Sequence, residues 1–544
     1  MQTEKKVLDA DILIVGYGPV GAALGCLLGK YDIQALVIDV EADVLEHPRA
    51  IALDNEALRI LQMTGLPEDS FEKVVLPKVR MWSQYFSDFS EINTTGSING
   101  HPKLVTFFQP ELERALRKQV GQCSSVQTMV STELVSYDEH YDHIEALLRT
   151  SEGEHLKVRC RYLVGADGAK SMVRKSIGLA FTGKSHAEDW LIIDALNAPK
   201  SIDHLEFICD HRRPGPHMVA PGGRQRWEFM LHPGEDPKQM LRDESIAKLL
   251  APWGSLSEIT IERKAIYRSH SRCAKEFSRG RVFLVGDAAH ITPPFAGQGL
   301  VAGLRDAANL AWKFSWVLKG RSPEAVLKTY SQERRPHAKA MILLARMMGK
   351  LVMPTNAVAA ILTHGPVRAS RLLPGLRRLT EEAQVKPANQ FKKGFFLSTP
   401  KGAPAICGGQ LSQQLVRKSD GEIVLSDDLF SQDFSLVGFG VDPLSNLSAE
   451  KRKMLEGAGI SSFYVYSRGG NAGSAGSENS ADNALEDIAD NFVSRDSRGW
   501  VALVRPDCVV MGIDRIENLE VLLHKTKKYF LTASSAAVNN IAFA

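Results

Sequence analysis

Short unbroken apolar runs that end in glycine or aspartate recur three times along the chain. The first, Asp11 to Val15, leads into Gly16-Tyr17-Gly18-Pro19-Val20-Gly21 and then the small-residue stretch Ala22 to Leu28. The second, Tyr162 to Val164, leads into Gly165-Ala166-Asp167-Gly168 and a short segment through Arg174. The third, Val282 to Val285, leads into Gly286-Asp287, then Pro293-Pro294-Phe295-Ala296-Gly297-Gln298-Gly299 and the apolar periodicity of Leu304 to Leu318. Apolar runs without alternation suit strands buried on both faces, as in a parallel sheet covered by helices. The pattern therefore predicts an α/β fold built from repeated strand–turn–helix elements.

Two other textures interrupt this one. Between about 186 and 269 the pattern alternates, as in Leu205-Glu206-Phe207-Ile208 and Trp227-Glu228-Phe229-Met230-Leu231. Alternation predicts an inserted β-sheet with one face toward a cavity. Ala340 to Thr363 reads as one or two amphipathic helices packed on a neighbouring domain or a second subunit. Arg346, Lys350 and Pro354 deny it the ~20 apolar residues of a spanning helix. From about 395 a separate unit begins, with short strands Phe434 to Val437 and Trp500 to Pro506. Gly469 to Asn483, rich in Gly, Ser, Asn and Ala, reads as a surface loop.

The glycines carry chemistry. Gly16 permits a tight turn, Gly18 lets a pyrophosphate approach the backbone, and Gly21 lets helix and strand pack closely. Pro19 sits at the first helical position. The next strand, Ala35 to Ile38, ends in Asp39, 18 residues past Gly21 and near the spacing at which an acidic side chain meets the adenosine ribose. Asp167 and Asp287 close the other two elements. A long dinucleotide lying across several strand ends calls for three such elements, whereas NAD-dependent dehydrogenases manage with one.

At this point the chain resembles the single-component FAD-dependent aromatic hydroxylases typified by para-hydroxybenzoate hydroxylase, and within them the 3-(3-hydroxyphenyl)propionate hydroxylases. The residues that carry the likeness are His47-Pro48-Arg49-Ala50 with Asp54 and Glu56, Gln109-Pro110 with Leu112-Glu113, and Asp210 through Pro214. Pro221-Gly222-Gly223 with Trp227-Glu228-Phe229, Arg305 through Lys313, and Tyr330 with Glu333 through Ala338 extend it over nearly the whole chain. The resemblance implies that Asp287 holds the ribityl chain of FAD, that Arg49 and Gln109 also contact FAD, and that Pro294, Gly297 and Gly299 lie along the isoalloxazine ring. It implies a split Rossmann-like FAD-binding domain (1–185 and 270–390), a β-sheet substrate domain (186–269) and a thioredoxin-like C-terminal domain (395–544). Two departures stand out. Leu300-Val301 replaces the aromatic or Met followed by Asn that relatives carry, and His211 stands where relatives often have Pro.

The implied activity is monooxygenation of a phenolic ring with NADH or NADPH and O2 through a flavin C4a-hydroperoxide. Since a phenol has a pKa of about 10, a base near the ring oxygen is expected, and His211 and His217 in the inserted layer are the candidates. Arg212, Arg213, Arg224 and Arg226 are available to an acidic substituent. Alternatives are a hydroxylase of polyketide or antibiotic scaffolds, and a flavin-binding protein without oxygenation. Composition adds limits rather than direction. A net charge of +3 with 24% charged residues gives no case for nucleic acid. The seven cysteines show no CxxC spacing, so neither a metal site nor redox chemistry is expected of them. No membrane partner is expected, a homodimer is the assembly considered, and the opening residues lead straight into the first strand, which predicts a cytoplasmic enzyme.

Overall fold

A computed structural model describes residues 7–530 apart from 47, 374, 376–385, 405, 471–482 and 494–495. His47 of the resemblance and most of the Gly469–Asn483 segment therefore lie outside the described residues. The first sheet runs in the order Val126–Met129, Ala35–Ile38, Val7–Val15, His155–Gly165, Ile144–Thr150, Thr132–Glu139. Val282–Leu284 joins it in parallel against the end of His155–Gly165, in the register Leu163↔Val282 to Gly165↔Leu284. The strands at the centre of the three predicted motifs are thus neighbours, and they are continuously buried where they approach the glycine turns, at residues 12–14, 162–165 and 282–284. Helix Pro19–Lys30 lies against helix Gly299–Leu318. Their close approach depends on Gly303, where a Cβ would come within 2.6 Å of Val20 Cγ2.

The second sheet has eight strands, ordered His290–Ile291, Thr260–Ala274, Phe181–Leu196, Arg224–Met230, Gly215–Ala220, Leu205–Ile208, Lys78–Ser83, Ser87–Asn93. The predicted inserted sheet is present, but it also draws in the hairpin 78–93, which pairs in parallel with Leu205–Ile208. That segment alternates in burial like the other sheet strands. Its partner lies over 120 residues away, and local pattern carries no information about such pairing. Both faces of this sheet are covered. Leu191, Ile193, Trp227 and Phe229 pack on Ile246 and Leu250 on one side. Trp190, Met218, Leu205 and Phe207 pack with Phe295 and Val352 on the other. The second side faces the FAD-binding unit.

The segment 340–363 forms the end of helix Lys328–Val352 and the start of helix Ala357–Ser370, broken at Pro354. Met341, Ala345 and Val352 are buried, while Leu343, Met347, Val358, Ile361 and Leu362 are exposed. Among the described residues no helix is long and apolar enough to cross a membrane. The C-terminal unit holds a seven-stranded sheet, Ile423–Leu425, Leu415–Arg417, Ala484–Asp487, Ile460–Ser467, Phe434–Phe439, Trp500–Val504, Val510–Arg515. Its core is continuous with that of the first unit through Trp312, Trp316, Phe395 and Phe434.

Candidate FAD site at the strand ends

The carboxyl ends of the motif strands lie side by side, tied by backbone hydrogen bonds. Gly16 N donates to Ile38 O at 2.8 Å, Ala166 N to Val15 O at 2.7 Å, and Val285 N to Gly165 O at 3.0 Å. In open α/β sheets this crevice beyond the strand ends is where ligands bind. The glycines divide by role. Gly16 has φ +107°, and a Cβ there would lie 2.5 Å from Ala166 O; a Cβ on Gly21 would lie 2.0 Å from Gly16 O. Both serve the fold of the turn itself. A Cβ on Gly18 or on Gly299 would meet nothing within 4 Å. Gly18 caps helix Pro19–Lys30 and Gly299 begins helix Gly299–Leu318, and neither N-terminus has a side-chain cap. Two sets of unspent amides therefore face open space, which suits an anionic ligand.

The acidic residues are arranged around that space. Asp39 is half-buried and accepts from Tyr17 N at 2.6 Å and from Glu41 N at 2.9 Å, which locks the glycine turn. Asp167 Oδ2 accepts from Met172 N at 2.7 Å and Val173 N at 3.1 Å, and its buried Oδ1 has no partner. Asp287 sits in the turn Gly286–Ala288, where Gly286 takes φ +60° and donates its N–H to Asp306 Oδ2 at 3.1 Å. Among the described residues no donor reaches the Asp287 carboxylate. Burial pushes its pKa up, opposed by His290 and Arg49. An unpartnered carboxylate beside unspent amides is a mixed donor and acceptor cradle. It fits a polyhydroxyl chain next to phosphates, as FAD presents.

Gln109 reaches the site through the backbone, its Oε1 accepting from Arg49 N and Ala50 N at 2.8 Å each. The Arg49 side chain is exposed. Pro294 opens the turn Pro294–Ala296, and Gly297 follows with φ +60°. Phe295 between them packs edge-on against Trp190 of the second sheet, with ring centroids 5.5 Å apart. Val301 is fully buried and Leu300 packs on the core, so the unusual pair faces inward. His290 bonds Asp306 Oδ2 at 2.6 Å, and Arg334 holds the other Asp306 oxygen at 2.9 Å, so this buried group anchors the Gly286 turn.

The two candidate histidines part company. His217 is fully buried, bonded to Gln225 at 2.9 Å and stacked on Trp227 at 4.7 Å. It lies on the sheet face away from Trp190 and Phe295, and burial pushes its pKa down to about 3. It is thus neutral and sealed from the FAD-facing side, a correction to its expected place. His211 is half-buried in the turn between Leu205–Ile208 and Gly215–Ala220, 3.2 Å from Gln84 Nε2 and stacked on Tyr85 at 6.0 Å.

Sequence reasoning named Arg226 among four available arginines without ranking them, and missed that it stands in a buried polar group on the FAD-facing side of the sheet. Arg226 bonds Asp194 through Nε at 2.5 Å and Nη2 at 3.0 Å, while its Nη1 is buried without a partner. Arg263 Nη1 bridges Asp194 at 3.3 Å and Pro48 O at 2.6 Å, linking this cluster to the Arg49 loop. Glu228 lies beside Tyr267 at 3.5 Å; burial raises its pKa, with Arg226 opposing. The other arginines are already engaged, Arg212 with Asp210, Arg213 with Glu235 and Arg224 with Glu262. A signal existed. Arg226 and Glu228 alternate with Trp227 and Phe229, which places the charged pair on the opposite face from the aromatic pair.

Comparison with known proteins bears on the whole arrangement. The profile of the FAD binding domain family matches residues 9–345, and that of the HcaD C-terminal domain matches residues 408–529. The 3-(3-hydroxy-phenyl)propionate/3-hydroxycinnamic acid hydroxylase 2 of Burkholderia vietnamiensis is 34% identical over 509 residues, 91% of this chain and 92% of that one. The corresponding hydroxylase of Escherichia coli K12 is 33% identical over 450 residues, covering 81% and 80%. Among solved structures, the flavin-dependent monooxygenase PieE in complex with FAD and substrate superposes with TM-score 0.77 at 20% identity, covering 96% of this chain and 99% of that one. The anhydrotetracycline hydroxylase OxyS of Streptomyces rimosus superposes with TM-score 0.75 at 22% identity, covering 97% and 100%. At such identities the structures establish the shared fold.

Proposed function

The chain belongs to the FAD-binding-domain family, as an FAD-dependent aromatic hydroxylase, and from that premise we propose that its substrate is a phenol bearing a short carboxylate chain. The observation that carries the substrate class is the similarity to the phenylpropionate and hydroxycinnamate hydroxylases over nine-tenths of the chain. The polyketide hydroxylases are similar to it in fold alone.

Bound FAD supplies reduction by NAD(P)H and activation of O2 for transfer of one oxygen atom to the ring. The chain's own residues do the rest. In the proposed arrangement Gly18 and Pro19 receive the pyrophosphate at the helix N-terminus, Gly16 and Gly21 shape the turn that presents it, and Asp39 meets the adenosine ribose. Asp287 accepts from the ribityl hydroxyls, Arg49 and Gln109 contact FAD near it, and Asp167 closes the second strand-end element. Pro294, Gly297 and Gly299 flank the ring. The sheet face of Trp190, Met218 and Tyr267 excludes water above it. Arg226 Nη1 is, with Arg263 Nε, an unspent buried donor on that face and suits the substrate's acid group. His211 stays the histidine candidate for accepting the phenol proton.

We assign the units 1–185 with 270–390 to FAD, 186–269 with the hairpin 78–93 to substrate, and 395–544 to a thioredoxin-like unit. Support for the last is the order Ile460–Ser467, Phe434–Phe439, Trp500–Val504, Val510–Arg515, with the first pair parallel and the others antiparallel. Cys407 and Cys508 are buried free thiols whose pKa burial raises, which favours a structural role for it. The exposed apolar residues of the helices Lys328–Val352 and Ala357–Ser370 support a homodimer.

No second nucleotide fold is present among the described residues, so nicotinamide must reach the ring by a transient opening, and substrate is expected to gate it. Anaerobic stopped-flow reduction by NAD(P)H should be faster with 3-(3-hydroxyphenyl)propionate than without it. Equal rates would contradict the gating, and absence of stimulation by any phenolic acid would contradict the substrate class.

A further inference from the structure

Lys386 lies between the two segments matched by the family profiles, close to the end of the part assigned to the FAD-binding unit. Its ammonium reaches back into the first unit. It donates to Asp54 Oδ2 and to Glu56 Oε1, at 2.6 Å each. Asp54 Oδ1 caps helix Asn55–Met63 by accepting from Ala57 N at 3.0 Å, so this carboxylate is oriented from both sides. Its Oδ2 also accepts from Gln298 Nε2 at 2.9 Å. Arg305 completes the ring, donating through Nη1 to Gln298 Oε1 at 3.1 Å and through Nε to Glu56 Oε2 at 2.7 Å. Both ends of the Gln298 amide are therefore held, and Gln298 stands between Gly297 and Gly299.

The charges balance as well as the hydrogen bonds. Asp54, Glu56, Arg305 and Lys386 sum to zero, and Asp54, Gln298 and Arg305 are buried. Without Lys386 two carboxylates share one guanidinium, and a surplus negative charge is left directly behind the loop. Glycine on either side of Gln298 supplies no packing of its own, so the loop's position depends on this amide being gripped.

We propose that Lys386 is a positioning residue of the flavin site, fixing the Gly297-Gln298-Gly299 loop and neutralising the charge behind it through Asp54, Glu56 and Arg305. The inference rests on the reading that this loop flanks the flavin ring. A residue outside the segment matched by the FAD binding domain profile then sets how strongly the reduced, anionic flavin is stabilised.

The test uses full-length holoenzyme as wild type, Lys386→Met, Lys386→Arg and the double variant Lys386→Met with Glu56→Gln. The readouts are the flavin midpoint potential, by equilibration with a reference dye, and the affinity for sulfite, which reports electron deficiency of the flavin. Lys386→Met should shift the potential to more negative values and weaken sulfite binding severalfold. Lys386→Arg should keep both near wild type. The double variant, neutral again, should recover most of the shift even where it is less stable. Wild-type values in Lys386→Met would overturn the proposal, as would a double variant that stays as shifted as the single one, because mere loosening would not respond to charge. If Lys386→Met fails to fold, Glu56→Gln alone decides: it leaves a surplus positive charge behind the loop and should shift the potential to more positive values and tighten sulfite binding, and wild-type values in it would overturn the proposal. Wild-type protein that cannot hold FAD at all would overturn the functional reading itself.

Discussion

Gly18→Val should yield a folded protein that has lost FAD. A Cβ at Gly18 meets nothing within 4 Å, and its backbone, φ −68° and ψ −177°, is open to any residue. Nothing in the polypeptide opposes the new side chain; only the ligand does. The isopropyl group would stand over the uncapped helix N-terminus, where the pyrophosphate must approach the amides. Asp287→Ala removes a single acceptor of the ribityl hydroxyls and should weaken FAD binding by about 5- to 150-fold, or about 1–3 kcal/mol. Gly18→Val should exceed the upper end of that range. Gly16→Val provides the contrast. With φ +107° and a Cβ 2.5 Å from Ala166 O, it should damage the fold before any ligand is added. Titration of apoprotein with FAD, alongside thermal unfolding of the apo forms, separates the cases. Full FAD occupancy of Gly18→Val at low free FAD would contradict the placement of the cofactor.

Arg505→Met should be the most damaging single change to stability, at about 3–5 kcal/mol, because it strands buried carboxylates at the junction of the units. Arg505 bonds Glu333 through Nη1 at 2.9 Å and Nη2 at 3.0 Å, and Asp507 through Nε at 2.9 Å. Glu333 also takes Lys313 Nζ at 2.9 Å and Asn309 Nδ2 at 2.7 Å, and all of these groups are buried. Burial alone would raise the Glu333 pKa, but Arg505 and Lys313 outweigh it and hold the group at about 2, against an ordinary 4.5. A depressed carboxylate contributes stability that is complete above its unfolded pKa and is lost as pH falls through its folded one. The gap between wild type and Arg505→Met in urea unfolding should therefore be full near neutrality and shrink between pH about 4.5 and 2. A gap under about 1 kcal/mol at neutral pH, within the range of exposed pairs, would contradict the account.

The legible parts of this protein are those in which a local pattern forces a backbone outcome. Gly16 and Gly21 could be read because only glycine survives the contacts they make, whereas the spacing that singled out Asp39 did not show that its carboxylate accepts from Tyr17 N and Glu41 N. Pairing across long sequence separations was not legible. The hairpin 78–93 entered the second sheet through a partner at 205–208, and nothing in its own residues names that partner. His217 went astray for a related reason. The alternation along Gly215–Ala220 was readable, but which face looks toward the FAD-binding unit depends on Trp190 meeting Phe295 from distant segments. A sheet covered on both sides also hides charge. Arg226, Glu228 and Asp194 occupy positions that alternation marks as polar and exposed, yet all three are buried. Lys386 was the least legible, since its role exists only where its ammonium meets Asp54, 332 residues away in sequence.

Isotopic labelling of the oxygenated product tests the central claim most directly. Wild-type enzyme is supplied with NAD(P)H, 3-(3-hydroxyphenyl)propionate and oxygen-18 gas in ordinary water, and the product is weighed by mass spectrometry. The account predicts a dihydroxylated ring carrying one labelled oxygen atom, formed only with FAD bound and in step with NAD(P)H oxidation. Product bearing oxygen from water, or NAD(P)H oxidation that never yields a hydroxylated ring with any phenolic acid, would contradict it.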